Sequence, residues 1–64
     1  MFRVVYYDVA GNCYEIKDAP KENALGWFEM LQDPFYLATE IWVSHIKENG
    51  QEVLFDFWLK ENWI

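Results

Sequence analysis

The Asn49-Gly50 step, set between two long stretches of β-branched and aromatic residues, constrains this chain more than any other feature. Asn-Gly between such stretches is a strong short-range hairpin signal. Leu37 to Ile46 reads as one strand, Lys47 to Gln51 as the turn, and Glu52 to Lys60 as the return. Loop length follows from parity, because a slip of one residue moves every side chain to the opposite face of a sheet. A two-residue Asn49-Gly50 loop sets Ile41 and Val43 beside Asp56 and Lys60. A three-residue loop, Glu48-Asn49-Gly50 with Gly50 as a left-handed bulge, instead groups Leu37, Ile41, Val43, Val53, Phe55, Phe57 and Leu59 on one apolar face. The second register is the expected one.

The same device fits the start of the chain. Phe2 to Asp8 is rich in β-branched and aromatic residues and reads as a strand. Asp8-Val9-Ala10-Gly11 has type I turn chemistry, and Cys13 to Lys17 returns as a second strand. With Gly11 as the bulge residue, Phe2, Val4, Tyr6, Tyr14 and Ile16 share a face. Asp18 is a candidate N-cap and Pro20 sits in the first turn of a helix. Ala24, Trp27, Phe28, Leu31 and Phe35 then recur at helical spacing, with Glu22, Gly26, Glu29 and Asp33 opposite. Pro34 disfavours helical geometry at Asp33, so the helix is expected to end there. The expected fold is α+β: a ββαββ chain in which two bulged hairpins form a four-stranded antiparallel sheet with one helix packed on one face. A right-handed crossover favours strand order 2-1-3-4.

Residues 1–64 make a single small domain, and at this size folding buries only about 60% of the unfolded surface. One cysteine excludes an internal disulfide framework, and one histidine beside it excludes an ordinary structural zinc site. Such cysteine usage fits a reducing, cytoplasmic setting. No apolar run approaches the ~18 residues of a membrane span, and no leader segment is expected. What remains to hold the chain together is aromatic packing, from four Trp, four Tyr and five Phe, and self-association.

One helix covers one side of a sheet. The other side is expected to carry Arg3, Val5, Tyr7, Cys13 and Glu15 from the first hairpin. The second hairpin adds Glu40, Trp42, Ser44, Ile46, Glu52, Leu54, Asp56, Trp58 and Lys60. Tyr7, Trp42, Ile46, Leu54 and Trp58 would then form a contiguous apolar patch, and such patches mark interfaces. The plainer alternative is that these aromatics stiffen the sheet through cross-strand pairs. The tail Glu61-Asn62-Trp63-Ile64 supplies a further Trp to be placed.

Aromatic sheets also stack single-stranded bases, but the charge opposes that here. Five Lys and Arg against eleven Asp and Glu give a formal net charge of -6, where phosphate binding needs cations. Turned round, a compact anion can dock on a basic nucleic-acid-binding protein and compete with its nucleic acid. Glu22, Glu29 and Asp33 along the helix, with Glu40 and Asp56 on the sheet, are the candidate carboxylates. A solvated amphipathic helix shows the same stripe without any partner.

Signals for chemistry are few. His45 lies on the apolar side of its strand, as a hydrogen-bonded edge histidine. Cys13 faces the other side and has nothing near it in sequence to lower its pKa, so no Cys–His pair is expected. No phosphate loop, metal-ligand spacing or cofactor motif is present, and an enzyme is not expected. The expected role is that of a small acidic protein-binding module, an inhibitor or adaptor. In size and charge it is analogous to bacteriophage and mobile-element inhibitors that act as nucleic-acid mimics against host defence proteins. The alternative is a homodimeric interaction module with no inhibitory role. The candidate partner-binding residues are Tyr7, Trp42, Leu54, Trp58, Glu22, Glu29, Asp33, Glu40 and Asp56.

Overall fold

A computed structural model of the protein describes residues 1–60. Its elements run β1 (Phe2–Asp8), β2 (Cys13–Ala19), α1 (Lys21–Met30), a short 3-10 turn (Pro34–Tyr36), β3 (Ala38–Ile46) and β4 (Glu52–Leu59). The four strands form one antiparallel sheet in the order β2-β1-β3-β4, the expected ββαββ fold and strand order. Both hairpins turn as their glycines require. Gly11 and Gly50 adopt φ of 85° and 87°, values that cost a Cβ-bearing residue energy. The second loop closes through Lys47 N–H to the Gln51 carbonyl at 2.9 Å, leaving Glu48, Asn49 and Gly50 as its three residues.

The first loop is tied down by Asp8. Its carboxylate accepts from the Ala10 and Asn12 backbone amides at 2.9 Å, from the Asn12 side chain at 3.2 Å and from the Tyr14 hydroxyl at 3.0 Å.

Helix α1 lies over the two central strands, β1 and β3. Between them sit Phe2, Val4, Ala19, Ala24, Leu31, Ala38, Ile41 and Val43, all buried. Full burial of side chains such as Leu31 and Ile41 contributes roughly 2 kcal/mol each. Thr39, the one buried polar residue among those described, donates its hydroxyl to the Tyr7 carbonyl at 3.3 Å.

Five expectations are corrected at the helix and its flanks. Asp18 is not an N-cap: β2 runs on to Ala19, and a bulge with Asp18 at φ 53° places Ala19 opposite Phe2 in the core. Strand pairing and the burial of Ala19 outweigh the cap, and the N-cap position falls to Pro20. The helix ends at Met30 rather than Asp33, because the amides of Gln32 and Asp33 bond three residues back, to Glu29 and Met30. Asp33 instead caps the 3-10 turn, accepting from the Phe35 amide at 2.8 Å, so it leaves the helical stripe of Glu22 and Glu29. Trp27 and Phe35 stay outside the core, 39% and 81% exposed, and Leu37 is a left-handed connector at φ 57° ahead of β3.

The largest correction concerns β4. The ladder pairs Ile46 with Glu52, His45 with Val53 and Ser44 with Leu54, then shifts, so that Val43 pairs with Asp56, Trp42 with Phe57 and Ile41 with Trp58. Phe55 is the extra residue of a β-bulge. Beyond it every side chain has changed face. Trp58 therefore packs against the core instead of facing outward, and Phe57 and Leu59 face outward instead of inward. Asp56, expected on the outer face with Glu40, lies on the opposite side with Val43.

Candidate functional site

The side of the sheet turned away from α1 carries the candidate site. Cross-strand pairing orders it in rows. Cys13, Tyr7, Glu40 and Leu59 form one row, and Glu15, Val5, Trp42 and Phe57 the next. Arg3, Ser44 and Leu54 follow, with Ile46 and Glu52 at the hairpin end. Rows of this kind bring side chains from four strands within contact because opposite residues share a face.

Trp42 stands at the centre. Its ring stacks on Phe57 with centroids 5.1 Å apart, and its indole N–H donates to Glu40 at 3.3 Å. Leu54, Phe57 and Leu59 flank it on β4, 52%, 49% and 46% exposed, with Tyr7 on the other side. Toward the hairpin end Arg3 binds two carboxylates, Glu15 of β2 and Glu52 of β4, the latter at 3.0 Å. Both pairings hold the guanidinium charged, the Glu15 bond most of all. Lys17 stands 3.9 Å from Glu15. The cations of this face are thus matched by carboxylates, which leaves little positive potential for a phosphate backbone.

Of the sequence-chosen residues, the structure brings together Tyr7, Trp42, Leu54 and Glu40. It separates Trp58 and Asp56, which the bulge turns to the other side. Glu22 and Glu29 are exposed on α1, across the sheet from this face, and Asp33 lies in the turn that follows. The carboxylates therefore do not converge on one surface. Sequence parity missed Phe57 and Leu59. No local signal marked the bulge: adjacent Phe57 and Trp58 take opposite faces with or without it, and the pairing with β3 decides which face each takes.

The reactive groups stay apart. Cys13 is exposed on the outer face beside Tyr7, whose hydroxyl pKa is raised chiefly by interaction with that thiol. His45 lies on the inner side, stacked on Phe2 at 4.8 Å. Among the described residues no group of His, Cys, Asp and Glu is arranged to hold a metal ion, and no helix is long and apolar enough to cross a membrane. No known family model, curated protein or solved structure matches the chain.

Proposed function

We propose that this chain is a small acidic protein-binding module, an inhibitor or adaptor, which receives another protein on the outer face of its sheet. The observation that carries the reading is the apolar cluster of Tyr7, Trp42, Leu54, Phe57 and Leu59 on a sheet face that no other element covers among the described residues. Aromatic residues at a patch centre with charged groups at its edge are the usual anatomy of an interface. Here Arg3, Glu15 and Glu52 supply that edge.

The net charge of -6 favours a basic partner. Because Glu22 and Glu29 lie on the other side of the molecule, charge acts here chiefly as a long-range steering field, and the aromatic face supplies the contact. Direct mimicry of a phosphate row is the weaker form of the reading, since the carboxylates are dispersed.

A photo-crosslinking amino acid placed at Tyr7 or Leu54, and for comparison at Glu29, tests this in the cells that make the protein. Discrete crosslinked partners are expected from the outer face alone, with yields that fall as salt is raised. Equal crosslinking from Glu29, or none from the outer face, would overturn the assignment.

A further inference from the structure

The bulge moves the centre of symmetry of the β4 edge: a regular strand's outward groups are symmetric about a residue, whereas those of β4 are symmetric about a point between two residues. The Lys60 N–H donates to the Thr39 carbonyl at 2.9 Å, so by strand alternation Trp58 also faces β3, while the amides of Leu59 and Phe57 point away from it. At the other end Lys47 bonds Gln51, so Val53 faces β3 and the amides of Glu52 and Leu54 point away. The bulge at Phe55 and Asp56 lies between the two halves. The outward groups therefore fall at Glu52, Leu54, Phe57 and Leu59, placed symmetrically about the midpoint between Phe55 and Asp56. Among the described residues, nothing pairs with this edge.

We propose that a second copy of this chain pairs with it, β4 antiparallel to β4, about a two-fold axis through that midpoint. Leu54 of one copy then faces Phe57 of the other, and Glu52 faces Leu59, with outward amides and carbonyls meeting at each pair. Side chains agree as well. Without the bulge, residues whose numbers differ by an odd amount would lie on opposite faces and this register would be forbidden. With it, Leu54, Phe57 and Leu59 of both copies line the outer face together, while Val53, Phe55 and Trp58 line the inner one. No carboxylate lies directly opposite another in this register. Val53 and Phe55, which stay exposed although Lys21 at the start of α1 stands over the Phe55 ring at 5.7 Å, are covered from the neighbouring copy. A two-fold contact is self-complementary by construction, so one edge suffices for both partners and the assembly closes as a dimer. The two sheets become one.

Asp56 opposes this. Its carboxylate accepts the outward Phe57 amide at 2.8 Å, occupying a donor that the dimer needs, and two copies of it lie near the axis. Edge strands are commonly guarded by such charges. Asp56 accordingly sets the strength of association rather than its geometry.

The inference goes beyond the binding of a different protein on the outer face, and the two fail separately. A strictly monomeric chain removes the dimer but not that reading. Sedimentation equilibrium of the full chain, from roughly 1 µM to 1 mM, is expected to give a monomer–dimer equilibrium. Asp56→Ala should tighten it by about tenfold, through the released amide and the lost repulsion. Leu54→Pro, which removes an outward N–H that β3 does not use, should abolish it. Should that variant not fold, amide exchange in the natural chain decides: Leu54 and Leu59 amides are expected to be protected at high concentration and to exchange freely on dilution. A monomer throughout the range overturns the proposal. So does a dimer in which those two amides exchange freely, or one that a folded Leu54→Pro leaves intact.

Discussion

Asp8 does the most for its size. A single carboxylate organises the turn between β1 and β2 by accepting from Ala10, Asn12 and Tyr14. Partial desolvation pushes its pKa up, but the bonds from Asn12, Tyr14 and Ala10 outweigh it and hold the group below its ordinary value. A carboxyl whose folded pKa lies below its unfolded one, about 3.9, contributes stability that is fully present above the unfolded value and lost as pH falls through the folded one. Asp8→Ala should therefore lower the thermal midpoint at neutral pH, with the difference from the natural chain shrinking in acid. Thermal unfolding followed by circular dichroism down to about pH 2 checks this. A constant difference across the range would show that the side chain acts through shape rather than charge. Leu37 is the contrasting residue, a bulky side chain held at φ 57°, whose carbonyl accepts the Val9 amide at 3.0 Å and so ties the first turn to the entry of β3.

At the scale of elements, α1 is a weak helix by its own composition. It begins at a proline without a side-chain cap and carries Gly26 on its exposed side. A methyl group at Gly26 would meet nothing within 4 Å. Gly26→Ala should stabilise the chain by about 1 kcal/mol, and chemical denaturation should show the midpoint move up with an unchanged slope. A loss of stability would mean that the helix surface there is already in contact with something.

The same helix marks where sequence reading works and where it stops. Both three-residue loops, the four strands and their order were legible, because Gly11 and Gly50 fix the turn type and parity then fixes the faces. Parity is also what failed at β4. It counts every residue as one step, and the bulge at Phe55 adds a step without a partner, so the outward Trp58 expected from counting became an inward one. Of the candidate face, Tyr7, Trp42, Leu54 and Glu40 survived because they lie before the bulge or on other strands. The end of α1 was missed for a different reason. Pro34 restricts only Asp33, and the three-residue-back bonds that end the helix earlier have no residue signature.

For the molecule as a whole, the consequence of placing β1 in the middle of the sheet is kinetic. Each hairpin joins neighbours in sequence and can zip on a microsecond timescale, yet a two-stranded hairpin alone is only marginally stable in water. They become a sheet when β1 meets β3, a seam from Asp8 opposite Ala38 to Phe2 opposite His45 that joins remote parts of the chain. Loop closure there precedes its reward, so the seam is expected to limit the folding rate. In stopped-flow experiments Val4→Ala, at the seam, should chiefly slow folding, whereas Leu31→Ala, beneath the helix end, should chiefly speed unfolding. The reverse pattern would place helix docking at the barrier. Until that seam closes, the protein is two hairpins on one thread, and the strand edges later buried at its centre are open to whatever else is in solution.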